Sequence, residues 1–172
     1  MPKTATIRPE DRAIAGHILY YPETGEFRWR SARGGQAAGS PAGSVWRRKG
    51  DVRYVIQFNG RGYQANRVAW LIMTGAWPTF QIDHQDTDGL NNRWTNLRQA
   101  THAQNIANAK TRKDNVLGLK GVSFHKVKGA FVARIQHNKI RVVLGYFASP
   151  EEAHAAYRTA SQQYHGEFGR AA

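Results

Sequence analysis

Three short segments near the C-terminal end, Val122-Ser123-Phe124-His125, Phe131 to Gln136 and Arg141 to Leu144, alternate in side-chain character with a period of two. That period fits only extended strands with one covered face. One face collects Val122, Phe124, Phe131, Ala133, Ile135, Val142 and Leu144. The other collects Ser123, His125, Val132, Arg134, Gln136, Arg141 and Val143. Ser149-Pro150-Glu151-Glu152 follows, with an N-cap, a proline in the first helical position and a capping glutamate. The helix it opens carries Ala153, Ala156, Tyr157, Ala160 and Tyr164 at helical spacing. Three strands and one helix therefore share a core, and the sheet's other face is left polar and basic.

The preceding chain is built differently. All five tryptophans, Trp29, Trp46, Trp70, Trp77 and Trp94, lie before residue 95. The polar, basic stretch Ala107 to Asn115 reads as a linker or extended arm. Pro9 to Tyr20 is expected to form a short helix, Tyr21 to Gly25 a turn, and Glu26 to Arg30 a strand. Residues 31–44, rich in Gly, Ala and Ser, are expected to form a loop. Asn59-Gly60-Arg61-Gly62 between Val52–Phe58 and Tyr63–Ala65 is a hairpin signal. Arg67 to Thr74 is apolar and helical, stopped by Gly75. Thr101-His102-Ala103-Gln104 has capping-box spacing, which puts Asn105 in the first turn of another helix. The boundaries expected are 1–62, 63–110, a linker at 111–117, and 118–172, all within the α+β class.

Charge narrows the function. Of 172 residues, 25 are Lys or Arg and 12 are Asp or Glu, a formal net charge of +13. This excess points to nucleic acid ahead of an anionic membrane surface. With no cysteine, the chain has no thiol catalysis, disulfide or Cys-ligated zinc. Apolar residues at 41% exclude a disordered tail, and no apolar run reaches the roughly 18 residues of a membrane span. The N-terminus lacks a hydrophobic signal region, so a cytoplasmic protein is expected. Residues 1–62 carry 11 basic and 5 acidic side chains, 63–115 carry 6 and 4, and 116–172 carry 8 and 3. The nearly balanced middle holds Ile82-Asp83-His84-Gln85-Asp86-Thr87-Asp88. Local carboxylates inside a basic frame suit a metal that works on phosphate; a merely variable charged surface accounts for the pattern equally well.

The densest constellation is Asp83-His84, Asn96 twelve residues after the histidine, and Asn105 nine further on. Taken singly each has an ordinary role: a surface histidine, a turn asparagine, a helix-end asparagine, a loop-capping aspartate. In context, Asn66-Arg67-Val68-Ala69-Trp70, Gly75-Ala76-Trp77-Pro78, Ile82-Asp83-His84 and Asn91 through Asn105 resemble an HNH endonuclease. More narrowly, they resemble the phage-type homing enzymes whose last motif position is Asn. The likeness covers roughly residues 12–110. It implies a ββα-metal nuclease core at 63–110, with residues 1–62 as a basic N-terminal extension and strands of the nuclease region. By the resemblance, His84 is the general base and Asn96 orients its imidazole. Asp83 and Asn105 would bind one divalent ion, Mg²⁺ first and Mn²⁺ or another divalent ion as the alternative. His102 shares a helix face with Asn105 and is a rival for the third position. Relatives usually carry His where this chain has Asn66, which is expected here as a helix N-cap.

Residues 118–168 resemble an AP2 DNA-binding domain through Lys120-Gly121-Val122, Phe131 to Ile135, Leu144-Gly145-Tyr146-Phe147 and Glu151-Glu152-Ala153. The match is poorer where that family has Trp, replaced here by Phe131 and Val143. The resemblance implies a three-stranded antiparallel sheet, packed on one helix, that enters the major groove of double-stranded DNA. The alternation assigns Ser123, His125, Arg134, Gln136 and Arg141 to the reading face, with Lys126, Lys128 and Lys139 at the turns. Arg67, Arg93, His102 and Lys120 are further expected DNA contacts, and Arg47-Arg48-Lys49 is either a phosphate clamp or a solvated loop. The expected function is a metal-dependent endonuclease acting as a monomer, without a membrane or small-molecule cofactor. It would nick or cleave DNA one strand at a time at sites chosen by the AP2-like part. The alternative is an inactive nuclease fold serving as a sequence-specific DNA-binding or regulatory protein.

Overall fold

A computed structural model describes residues 9–48, 50–112 and 114–170. Lys49 of the basic run 47–49 lies outside the described residues. The chain divides into two compact units, one ending at Gln99 and the other beginning at Ala100.

The first unit opens with a 3-10 turn at Pro9–Arg12 and helix α1 (Ala13–His17). The helix expected to reach Tyr20 stops at His17. The β-prone run Ile18-Leu19-Tyr20-Tyr21 instead forms strand β1 (Ile18–Tyr21), paired antiparallel with β2 (Glu26–Trp29). A three-stranded sheet follows, made of β3 (Ser44–Arg48), β4 (Asp51–Phe58) and β5 (Arg61–Gln64) in that order. The β4–β5 turn is Asn59-Gly60, both at positive φ, the geometry that matches strand twist in a two-residue hairpin. Helix α2 (Ala65–Thr74) continues directly from β5 and ends where Gly75, at φ 74, donates its N–H to Leu71 O. A two-stranded ribbon of β6 (Gln81–His84) and β7 (Leu97–Ala100) completes the nuclease-like segment.

One core gathers Ile14, Ile18, Phe27, Trp29, Ile56, Val68, Leu71, Ile82 and Leu97. The first 62 residues are therefore no appendage: their strands and α1 fill the same interior as α2, β6 and β7. Asp11 seals one end of that interior. Buried in the first 3-10 turn, it accepts a hydrogen bond from the Tyr63 hydroxyl at 2.8 Å and pairs with Arg61 at 3.3 Å.

The second unit begins with α3 (His102–Asn108), capped by Thr101 and Gln104 in the reciprocal arrangement their spacing predicts. Strands β8 (Val122–His125), β9 (Ala130–His137) and β10 (Ile140–Phe147) form an antiparallel sheet in the order β10-β9-β8. Helix α4 (Pro150–His165) packs on it, with Ser149 Oγ accepting from Glu152 N. Val122, Ala133, Ile135, Ala153, Tyr157 and Ala160 make the interior.

Three assignments from the alternation change. Phe124, on an edge strand, is half exposed and rests edge-on against Phe131 at 5.2 Å. Val132, expected on the solvent face, is fully buried, because it lies on the central strand between Ser123 and Tyr146. Tyr164 is exposed at the end of α4 and lies tilted against the His137 ring, 5.0 Å between centroids, rather than in the core. A β-bulge between Val143 and Gly145 shifts the phase of β10 by one residue. Beyond it, Tyr146 joins the face of Ser123, His125 and Arg134.

Gly121 shows how tightly this unit is closed. It sits at φ 76, and a Cβ there would lie 2.0 Å from the Tyr157 ring. Gly121→Ala is expected to destabilise the second unit by about 2 kcal/mol or more, since left-handed strain adds to overpacking. Denaturant melts of the full chain measure this, and a loss below about 0.5 kcal/mol would contradict the packing described.

Candidate active site and nucleic-acid surface

His84 ends β6, where the chain enters the loop 85–93. Its Nε2 lies 3.2 Å from Oδ1 of Asn92. The Asn92 amide nitrogen is used elsewhere, donating to Leu90 O, so its carbonyl oxygen is the atom turned to the ring. A carbonyl oxygen only accepts, so Nε2 carries the proton and Nδ1 keeps the lone pair in the neutral imidazole. Asn92 is itself held: it is buried, and Tyr20 donates its hydroxyl to the Asn92 carbonyl at 2.7 Å. Burial and the charge of Glu23 push that phenol up to about 12, so it remains a donor at every working pH.

The loop is gripped at two glycines. A Cβ on Gly25, at φ 77, would come 2.6 Å from the Asn92 carbonyl carbon, and one on Gly89 would come 2.2 Å from Val52 O. Backbone thus meets backbone at both points, and no larger residue fits. Trp94 N to Pro22 O at 2.9 Å and Arg93 Nε to Glu23 O at 3.0 Å extend the first grip.

Asn96 does not hold the imidazole, and that expectation is corrected. Its amide donates to Asp86 Oδ1 at 2.9 Å and to Asn91 O at 2.8 Å, while its Oδ1 accepts from Asp86 N. Asn96 therefore ties the two ends of the loop together, and Asn92 contacts the histidine. Burial alone would raise the Asp86 carboxyl. Hydrogen bonds from Asp88 N, Asn91 and Asn96, with the nearby His84, outweigh it and hold the group below the usual carboxylate value. Sequence spacing passed over Asn92 although it stands within the motif; its signal is a second asparagine beside Asn91, which spacing cannot rank.

Asp83 is buried on the adjacent position of β6 and paired with Arg98 of β7, Nε to Oδ2 at 3.0 Å. Asn66 is not a helix cap; Gln64 precedes the first turn. Its buried amide donates to Ile82 O at 3.0 Å and its oxygen accepts from Arg67 N, so it fastens α2 to β6 one residue before Asp83. Arg67 is likewise engaged inside the fold. It donates to Pro78 O and Phe80 O, both at 3.3 Å, and burial pulls its guanidinium down. Arg93 stays exposed.

His102 and Asn105 belong to the second unit, three residues apart on α3, with His102 exposed and Asn105 half-buried. Lys120, expected on phosphate, instead caps that helix, donating from Nζ to Ala107 O at 2.5 Å and Ala109 O at 2.7 Å. The donor set expected for a metal, one carboxylate from Asp83 and one amide carbonyl from Asn105, is all oxygen and suits Mg²⁺, which keeps several waters. Among the described residues, no three His, Cys, Asp or Glu side chains gather as ligands.

The outer face of the β8–β10 sheet carries the expected polar groups. Ser123, Gln136, Arg141, Lys126, Lys128 and Lys139 are exposed, with His125 and Arg134 half-buried. Arg134 donates to Ser123 Oγ at 3.1 Å, which extends its guanidinium along the face. Lys128 Nζ sits 3.8 Å from the centre of the Tyr146 ring, and His125 meets the same ring edge-on at 5.4 Å. Tyr146 is the residue that the strict alternation missed. Lys139 lies in the Asn138-Lys139 turn, both residues at positive φ.

Residues 63–107 match the HNH endonuclease family model. The chain is 35% identical over 108 residues to Protein 3.8 of Escherichia phage T7, covering 59% of this chain and 84% of that protein. No solved structure matches significantly. Among the described residues, no helix is long and apolar enough to cross a membrane.

Two measurements check this geometry. Gly25→Ala is expected to cost about 2 kcal/mol or more and to shift the His84 imidazole resonances, because the Asn92 backbone must retreat. Unchanged resonances would mean that the turn does not hold the loop. Burial, then repulsion by Arg170, lowers the Lys120 ammonium to about 8. The folded chain then loses this proton before the unfolded chain does, so the group's contribution to stability rises with pH from about 8 toward the ordinary lysine range. The stability deficit of Lys120→Met against the parent should widen between about pH 8 and pH 10 in thermal melts; a narrowing deficit contradicts the assignment.

Proposed function

The chain belongs to the HNH endonuclease family, and from that premise we propose that it is a divalent-metal-dependent endonuclease of double-stranded DNA that cuts one strand at a time. The observation that carries the reading is the His84–Asn92 contact. It fixes the tautomer a general base needs, with Nδ1 unprotonated and the ring held from behind by a residue anchored to Tyr20. His84 takes a proton at Nδ1 from the water whose oxygen attacks phosphorus, and the bond from phosphorus to the 3′ oxygen breaks. Asn92 keeps the ring in place as it becomes charged. Asn96 and Asp86 keep the loop from yielding. Asp83 and Asn105 are the residues that would hold the ion. When bound, it supplies charge neutralisation at the scissile phosphate and stabilises the departing oxygen.

The second unit supplies recognition in this reading, in the manner of an AP2 domain. Arg134 and Arg141 have the fork that pairs with guanine edges, and Gln136 the amide that pairs with adenine. Lys126, Lys128 and Lys139 neutralise phosphates, and Tyr146 beneath Lys128 gives that part of the face a flat apolar floor. One general-base histidine and one ion per chain make nicking by a monomer the natural outcome.

Supercoiled plasmid carrying a library of targets, incubated with protein and Mg²⁺ or with EDTA, tests this directly. The parent should yield open circles only with the metal. His84→Ala should cut about 10²–10⁴-fold more slowly while binding DNA unchanged. Binding of both should weaken steeply with salt. A parent that binds DNA but converts no plasmid under any divalent metal refutes the nuclease reading and leaves the binding protein.

A further inference from the structure

We propose that Arg98 is the counter-ion that a divalent metal must displace from Asp83, and that it thereby sets how much metal this nuclease needs. This inference rests on the reading of Asp83 as a metal ligand. Its own ground is the ion pair between β6 and β7, with Nε 3.0 Å from Oδ2.

Both partners are withdrawn from water. The Asp83 side chain is 5% exposed and that of Arg98 13%. A carboxylate at that depth is costly without a positive partner or hydrogen bonds to replace its hydration. Arg98 supplies the positive charge in a chain without metal, so the nuclease segment folds with its ligand already formed. The neighbours hold the pair in register. Asn66 fixes the backbone at Ile82, one residue before the carboxylate. Gln99, one residue after the arginine, accepts from Thr79 Oγ1 and Phe80 N through its side-chain oxygen. Gln85 N donates to Asn96 O at the end of the ribbon.

The same arrangement penalises the metal. A doubly charged ion arriving at Asp83 meets a guanidinium already in contact with the carboxylate, and two cations within a few ångströms in a site of low polarity repel strongly. The ion binds only when the Asp83 carboxylate gives up Arg98 as its partner. Arg98 is a positioning residue in this scheme. It prepares Asp83 and raises the metal threshold, and it need not touch the substrate.

Mn²⁺ alone is the probe, with the full chain at constant ionic strength. Free aqueous Mn²⁺ is counted by its electron paramagnetic resonance signal, and thermal melts are recorded with and without the ion. Arg98→Gln should bind Mn²⁺ about tenfold more tightly than the parent, since the competing charge is gone. It should melt lower without metal and gain more from Mn²⁺ than the parent does. A variant unfolded without metal should fold when Mn²⁺ is added. Arg98→Lys should restore the parent's threshold in part, with a point charge in place of the fork. Affinity equal to or weaker than the parent's, or a loss of stability that Mn²⁺ does not repair, overturns the proposal. Asp83→Asn separates the two readings. If it binds Mn²⁺ as the parent does, the metal assignment of Asp83 is what fails, whatever Arg98 does.

Discussion

The loop between His84 and Asn96 carries the candidate site, and close backbone contact holds it. Gly25 and Gly89 let two other stretches of chain approach it more nearly than any side chain would permit. Within that grip, Asp86 and Asn96 close the loop on itself, and Asn92 is left facing the imidazole. A histidine at the end of a strand would otherwise have ring freedom. Here a long-range constraint from the β1–β2 turn removes it. This gives the N-terminal strands a purpose beyond core filling: they are the wall against which that loop is set.

Charge is arranged by depth as well as by segment. The aspartates of the nuclease segment are each committed, Asp83 to Arg98, Asp86 to the loop amides and Asp88 to Leu90 N, and Asp11 of the first turn is held by Tyr63 and Arg61. Two of the basic groups expected on DNA, Arg67 and Lys120, are spent on backbone carbonyls. The basic groups left in solvent include Lys126, Lys128, Lys139 and Arg141 at the outer sheet face of the second unit, and Arg30, Arg47, Arg48 and Arg93 in the first, where a polyanion would find them.

Local chemistry was legible from the sequence. Thr101 with Gln104, Ser149 before Pro150, Asn59-Gly60 and Gly75 each specify a short stretch of backbone without help from the rest of the chain, and each forms as expected. The Asp83-His84 pair and the sheet with its helix were legible for the same reason, since they rest on motif and period. Three features were not. The choice among Asn91, Asn92 and Asn96 for the histidine is made by contacts with residues about seventy positions away, such as Tyr20. The bulge in β10 breaks the period that alternation assumes, which hid Tyr146. Ile18 to Tyr21 reads as a helix end until its partner strand is known.

The division of the chain after Gln99 has a consequence for dissection. The HNH segment at 63–107 crosses that boundary, so Asp83, His84 and Asn96 lie on one side and Asn105 on the other. The helix bearing Asn105 is in turn capped by Lys120, which stands at the threshold of the sheet that would read DNA. A cut at residue 99 severs the motif, and a cut in the arm at 111–117 strips the cap from its helix. The HNH-family segment and the basic sheet are thus spliced through each other along the chain, so modules exchanged between such proteins would have to carry Lys120 with the HNH half.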